Sequence, residues 1–90
     1  MRRAAKVDQN QAAIVAALRR CGATVQHMHT LGKDAPDLLV GFRGRNFVME
    51  VKDAKGALTA GQAIWMRDWR GQSCVVRTAE EAILTVCSSK

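Results

Sequence analysis

Two apolar runs joined by a short basic connection occupy the middle of the sequence. The first covers residues 37–42, Asp-Leu-Leu-Val-Gly-Phe, and the second covers residues 46–52, Asn-Phe-Val-Met-Glu-Val-Lys. Between them lies Arg43-Gly44-Arg45, and a glycine between two such runs is typical of a tight β-hairpin. A hairpin is rarely stable alone, so the chain must build a sheet around it.

Charged residues stand at the ends of both runs. Asp37 opens the first run, and Glu50 and Lys52 close the second. Side chains alternate along a strand, so Glu50 and Lys52 are predicted to share one face of the sheet. Two carboxylates on adjacent strands can converge on a divalent cation, with the backbone C=O of Val51 as a further ligand. Lys52 beside such a cation would orient or deprotonate an attacking water and stabilise developing charge.

The same charges also have a purely structural interpretation. Asp37 and Glu50 are equally consistent, from their spacing alone, with carboxylates at strand ends that pair with Arg43, Arg45 or Lys52. His27 and His29 fall on one face of a predicted strand, but two histidines without a third ligand are typical of structural or surface groups.

The remaining elements follow from periodicity, caps and breakers. A helix is predicted from Asp8, as its N-cap, to about Arg20, ended by Gly22. The other predicted elements are a strand at 23–30, a loop at 31–36, a helix at 60–69 capped by Thr59, a strand at 73–77, and a helix at 79–87 with a Thr78/Glu81 capping box. This order, αβββαβα, predicts an α/β (α+β) fold with a small mixed β-sheet flanked by helices, its last strand parallel to a neighbour.

Length and composition narrow the class of protein. Ninety residues are predicted to form one domain, residues 1–90, in which residues 1–7 are a flexible basic arm. No apolar run approaches the roughly 18–20 residues of a membrane span, and the N-terminus lacks the apolar segment of a secretory signal. Three widely spaced cysteines indicate neither a disulfide framework nor a zinc site, so we expect a cytoplasmic location, in a bacterium or a phage-infected host cell.

A formal net charge of +6 favours an anionic partner, and nucleic acid is the leading candidate. The candidate phosphate contacts are basic residues in loops, in the hairpin connection and near the N-terminus: Lys33, Arg43, Arg45, Lys55, Arg2, Arg3 and Lys6.

Trp65 and Trp69 lie four residues apart on a predicted helix. We expect at least one of them in the core and the other at the interface of a homodimer.

The pattern Pro36-Asp37, twelve intervening residues and then Glu50-Val51-Lys52 resembles the PD-(D/E)xK nuclease motif. Its surroundings are similar to the VRR-NUC branch and to phage Holliday-junction-resolvase-like proteins. The resemblance includes the leading helix, the glycine of the hairpin, Leu58-Thr59 with Gln62 at the next helix, and Val75-Val76-Arg77 before an acidic helix.

This resemblance implies a restriction-endonuclease-like core and metal-dependent hydrolysis of DNA, with Mg²⁺ as cofactor and Mn²⁺ as a substitute. It implies Asp37 and Glu50 as metal ligands, Lys52 as the catalytic lysine and Gln62 as a helper. Branched or Holliday-junction-like DNA, cut by a homodimer, is the implied substrate. The alternatives are a non-catalytic nucleic-acid-binding module on the same fold, and a general nicking nuclease in phage DNA replication or packaging.

One position departs from the family pattern. Members commonly carry a further acidic residue on the first helix, and the corresponding position is Gln11 in this sequence. Asp8, one turn earlier, is a possible substitute. Asp8 and Gln11 are therefore both candidate metal ligands.

Overall fold

The protein was analysed as a computed structural model that describes residues 5–28 and 30–88, with residues 5–8 described by their backbone alone. The elements are α1 (Ala5–Arg20), β1 (Thr24–His27), β2 (Leu38–Phe42), β3 (Arg45–Val51), α2 (Ala60–Asp68), β4 (Gln72–Val76) and α3 (Ala79–Ser88). The predicted order αβββαβα is confirmed.

The strands form one mixed sheet in the order β1-β2-β3-β4. β1 and β3 are both antiparallel to β2, whereas β3 and β4 are parallel and are connected through α2. The predicted mixed sheet and its parallel last strand are therefore confirmed. A helix between two parallel strands is the usual crossover, because a short turn cannot connect strands that run in the same direction.

The hairpin turn consists of Arg43 and Gly44, one residue shorter than the predicted connection, because Arg45 already belongs to β3. Both turn residues have positive φ, 53° and 81°. Two consecutive left-handed residues define the type I′ geometry that matches the twist of a two-residue hairpin. The guanidinium of Arg43 lies 4.9 Å from the centre of the Phe42 ring, which stabilises the side chain beside the turn.

The first helix ends where its glycine predicts and begins earlier than expected. Gly22 has φ 103°, and N–H groups of Gly22 and Ala23 donate to the carbonyls of Arg19 and Leu18. This pattern is a Schellman motif, for which glycine is the preferred residue. The helix starts at Ala5, so the prediction of Asp8 as its N-cap is wrong. The β1 strand is shorter than predicted, because only residues 24–27 pair with β2.

The caps of the two later helices can be compared with their sequence signatures. Thr59 and Gln62 form a complete capping box at α2, because each side chain bonds to the other's backbone N–H. At α3 only half of the predicted box is present. Thr78 accepts from the N–H of Glu81, but the Glu81 carboxylate accepts from the N–H of Arg77 instead of Thr78.

The hydrophobic core lies between one face of the sheet and the helices α1 and α3. Its largest fully buried side chains include Ile14 and Leu18 of α1, Leu38 and Val40 of β2, Met49 of β3, and Val86 of α3. Leu38 and Val40 are two apart, and Leu38 pairs with Met49, so these three side chains share one face of the sheet. Val48 and Glu50 occupy the other face.

Helix α2 contributes no buried residue to this core. Trp69 is 46% exposed and stacks on Trp65, with ring centres 4.9 Å apart. The prediction that at least one of these tryptophans packs in the core is therefore wrong. Periodicity identified the helix but not the face that it would bury. Among the described residues, no helix combines the length and apolar character needed to cross a membrane.

Candidate active site

The carboxylates of Asp37 and Glu50 meet where β2 begins and β3 ends. The antiparallel register pairs Leu38 with Met49, and its continuation sets Asp37 opposite Glu50. Directly opposed residues project to the same face of a sheet. Asp37 is held there because its Oδ2 accepts a hydrogen bond of 2.9 Å from the backbone N–H of Val51. The predicted convergence of the two carboxylates thus has a direct backbone cause.

Glu50 is buried, at 4% exposure, and two side chains contact its Oε2 atom. The amide Nε2 of Gln62 donates to it at 3.2 Å, and the ammonium Nζ of Lys52 lies 3.5 Å away. Lys52 lies on the same face as Glu50, as alternation predicts. Gln62 comes from the first turn of α2, whose capping box fixes its other amide atom. Four predicted catalytic residues, including Asp37, are thereby brought together.

Burial and charge act on Glu50 in opposite directions. Burial, followed by the negative charge of Asp37, raises the pKa of Glu50 to about 7, and the Lys52 ammonium only partly offsets this effect. A carboxyl group beside a second carboxylate is expected to behave this way, because desolvation and like charge both disfavour ionisation. A cation between the two groups would remove the repulsion.

The carboxylates open into a cleft of about 300 Å³. Its lining comprises Asp37, Glu50, Val51 and Lys52 together with Asp53 and Gly56 of the loop after β3. Asp53 and Gly56 were not among the predicted site residues. Their adjacency to Lys52 in the chain was the available signal, but the path of the loop depends on contacts distant in sequence.

The residues present fit a hard divalent cation. Asp37, Glu50 and Val51 line the cleft, so two carboxylates and the predicted Val51 carbonyl ligand give a set of oxygen donors. Mg²⁺ and Mn²⁺ prefer such ligands together with water and substrate phosphate. Within residues 9–28 and 30–88, whose side chains are described, no three His, Cys, Asp or Glu side chains form a metal-binding cluster. Asp37 and Glu50 are the carboxylates that face each other in the cleft, and Asp53 also lines it.

The predicted first-helix ligands are not joined to this pair by a described contact. The amide Nε2 of Gln11 lies 3.3 Å from Nδ1 of His27 on β1. His27 pairs with Leu38, one residue from Asp37, so Gln11 lies near this edge of the sheet. The side chain of Asp8 lies outside the described residues. Metal ligation by Gln11 or Asp8 stays a prediction.

The basic residues predicted to contact phosphate fall into two groups, one near the carboxylates in the chain and one far from them. Lys55 is exposed on the loop that lines it, and Lys33 is exposed in the loop before Asp37. Arg43 and Arg45 lie at the opposite end of the hairpin, since Glu50 is five positions after Arg45 along β3, about 17 Å away. Arg43 and Arg45 are therefore unable to pair with the carboxylates. Of the three cations in the structural interpretation of Asp37 and Glu50, Lys52 therefore remains, and its ammonium lies 3.5 Å from Glu50.

The N-terminal basic candidates fall outside this description. Arg2 and Arg3 lie outside the described residues, and so does the side chain of Lys6. Their predicted contacts with DNA stay predictions.

Two further residues support the site from outside the cleft, and sequence reasoning did not find them. Asn10 of α1 donates to the carbonyls of Lys52, at 3.1 Å, and Arg77, at 3.4 Å. The Arg77 guanidinium donates to the carbonyls of Asp53 and Gly56. A charged residue directly after the apolar pair Val75-Val76 was the available local signal for Arg77.

The fold has a counterpart among solved structures. No family model matches the sequence, and neither does any curated protein. A solved structure described as "VRR_NUC domain" superposes with a TM-score of 0.70, covering 91% of this chain and 96% of its own, at 24% sequence identity. The resemblance stated from the motif is thus confirmed at the level of the fold, and this chain has the fold of a VRR_NUC domain.

Proposed function

We propose that the protein is a Mg²⁺-dependent endonuclease that hydrolyses phosphodiester bonds in DNA, with Mn²⁺ able to replace Mg²⁺. The observation that carries this proposal is the opposition of Asp37 and Glu50 on adjacent strands, with Lys52 and Gln62 on the same Glu50 oxygen. The fold of a VRR_NUC domain and the PD…ExK spacing support it independently.

Each residue has a distinct role in this proposal. Asp37 and Glu50 would hold the cation, with the Val51 carbonyl as a further ligand. When bound, the cation would supply Lewis acidity and a source of hydroxide at neutral pH. Lys52 orients the attacking water and stabilises the negative charge that develops on the phosphate. Gln62 holds Glu50 in the orientation that directs its carboxylate into the cleft.

The proposed substrate is branched or otherwise structured DNA. The net charge of +6 favours a polyanion, and phosphate contacts recognise the backbone without reading sequence. Lys55 is exposed on the loop that lines the cleft and Lys33 is exposed in the loop before Asp37, and both are proposed to contact phosphates beside the cut. Arg43 and Arg45 would contact DNA about 17 Å away, which suits a substrate that extends along the hairpin.

We further propose a cytoplasmic homodimer, whose two active sites would act on two strands. The exposed apolar side chains of α2 are the candidate interface, because Ile64 is 50% exposed and Trp69 lies beside it on the helix surface. Tryptophan is enriched at the centres of protein interfaces.

A non-catalytic nucleic-acid-binding module is the second candidate. Lys52 and Gln62 both contact one Glu50 oxygen, and Gln11 occupies the position at which the related nucleases commonly carry an acidic residue. Such a module would bind DNA equally well with metal and with chelator.

The deciding experiment is cleavage of labelled linear duplex, single strand, flap, splayed arm and four-way junction with Mg²⁺, Mn²⁺ or chelator. We expect metal-dependent cutting that Glu50→Gln eliminates, with the four-way junction cut fastest. Glu80→Gln is the matched control, because it makes the same change at an exposed position on α3. A nicking nuclease would cut linear duplex as well as the junction.

Metal binding can be measured without cleavage. Millimolar Mg²⁺ at pH 8 should raise the melting temperature of the wild type and of Glu80→Gln, because the cation binds only the folded carboxylate pair. Glu50→Gln should show no such increase. DNA binding that is unaffected by metal, together with no cutting of any substrate, would contradict the nuclease and favour the binding module.

A further inference from the structure

Both backbone polar atoms of Lys52 are bonded to other elements. Its N–H donates to the carbonyl of Val76 at 3.0 Å, which extends the parallel ladder one residue beyond Val51. Its carbonyl accepts from the amide of Asn10 at 3.1 Å. The Lys52 side chain therefore projects from a main chain that α1 and β4 hold on both sides.

The loop after Lys52 is held in a comparable way by Arg77. One guanidinium nitrogen, Nη1, donates to the carbonyl of Asp53 at 2.7 Å and to the carbonyl of Gly56 at 2.6 Å. These carbonyls belong to two residues that line the catalytic cleft. The loop has no regular secondary structure, so its shape depends on such contacts.

Asn10 and Arg77 are also connected to each other. The same Asn10 amide that bonds to Lys52 lies 3.4 Å from the carbonyl of Arg77. The Arg77 N–H in turn donates to the Glu81 carboxylate at 2.7 Å. These hydrogen bonds form one continuous network next to the cleft. The network connects a side chain of α1 with the ends of β3 and β4 and with the first turn of α3.

We propose that Asn10 and Arg77 are positioning residues that hold Lys52 and residues 53–56 in the geometry required for hydrolysis, an inference that rests on the proposed nuclease function. Neither the Asn10 side chain nor the Arg77 side chain lines the cleft. A catalytic group displaced by about 1 Å can lose about 100-fold in rate, so these contacts matter for turnover more than for DNA binding.

The test compares Asn10→Leu, Arg77→Met and Arg77→Lys with the wild type. Arg20→Met is the matched control, since Arg20 is an exposed arginine at the end of α1. Single-turnover cleavage should slow by about 10–100-fold in Asn10→Leu and Arg77→Met, with the KM for DNA changed less than about threefold. Arg77→Lys should recover only part of the rate, because an ammonium replaces the planar donor group.

A double-mutant cycle identifies the group through which these residues act. In a Lys52→Ala background, Asn10→Leu should slow the residual cleavage by less than about threefold, because the residue that it positions is already absent. Equal losses in the two backgrounds would overturn the inference for Asn10. An Arg77→Met variant with raised KM that Arg77→Lys fully restores would instead identify a phosphate contact and overturn the inference for Arg77.

Amide hydrogen exchange tests the same inference without activity. In Asn10→Leu and in Arg77→Met, amide exchange should accelerate at residues 52–57 and stay unchanged in β2. Unchanged exchange at 52–57, or acceleration spread evenly over the sheet, would overturn it. If the wild type cuts no substrate, the proposed function fails, and the exchange data still decide whether Asn10 and Arg77 hold the loop.

Discussion

Glu50 combines a charge with a buried position on a strand. Its 4% exposure is unusual for a carboxylate, which is seldom fully buried without a partner. Lys52 and Gln62 provide that partnership on one oxygen, and Asp37 opposes it. Burial and the charge of Asp37 destabilise the ionised form of Glu50, a cost that a cation between the two carboxylates would reduce.

The raised pKa of Glu50 predicts how the free energy of unfolding depends on pH. Because the pKa of Glu50 is raised from 4.5 to about 7, the folded state holds a proton that the unfolded state has released between these values. Stability should therefore fall as the pH rises from about 4.5 to 7. Glu50→Gln removes the charge, so without metal it should be more stable than the wild type at pH 8 by on the order of 2 kcal/mol.

Thermal or urea unfolding at pH 5 and pH 8 in chelator measures this difference. The advantage of Glu50→Gln should be clearly smaller at pH 5, where much of the wild-type Glu50 is already protonated in the folded state. Glu80→Gln is the matched control, because it makes the same change at an exposed position. An equal effect of Glu50→Gln at both pH values would contradict the raised pKa.

At the scale of single elements, the beginning of α2 links stability to the site. Thr59 caps the helix, and Gln62 completes the capping box with one amide atom while it contacts Glu50 with the other. The capping signature was recognisable from Thr59 and Gln62 alone, since it spans only four residues. The contact of Gln62 with Glu50 depends instead on how β3 and α2 lie relative to each other.

Thr59→Ala should lower the free energy of unfolding by about 1 kcal/mol, because the N–H of Gln62 loses its acceptor. It should also slow cleavage, since Gln62 loses part of the structure that orients it. Thr59→Ser retains the hydroxyl and is the matched control. Denaturant unfolding and single-turnover cleavage measure both effects, and an unchanged stability of Thr59→Ala would contradict the role of the cap.

The whole molecule leaves one helix outside its core. Helices α1 and α3 cover one face of the sheet, while α2 on the other side buries none of its residues and exposes Ile64 and Trp69. Exposed apolar side chains grouped on one surface are typical of an interaction site. A second copy of the chain would cover them in the proposed homodimer.

Trp69→Lys should convert this dimer into a monomer, because the charge would be buried at the interface without a partner. Leu84→Lys is the control, since Leu84 is similarly exposed, at 56%, on α3. Analytical ultracentrifugation should find dimers of the wild type and of Leu84→Lys at micromolar concentration. A monomeric wild type would contradict the homodimer.

Local signals in the sequence determined the order of elements, the hairpin, the Gly22 helix end and the Thr59 cap, because each depends on residues within a few positions. Strand alternation also predicted that Glu50 and Lys52 share one face. Gln62 was predicted only through the resemblance to the PD-(D/E)xK pattern, and the catalytic roles of these residues and of Asp37 stay predictions. Only the tertiary structure decided the burial of Glu50, the exposure of α2 and the contacts of Asn10 with residues 42 and 67 positions away. Those features depend on strand order and on which helix covers which face, and no short stretch of sequence encodes either.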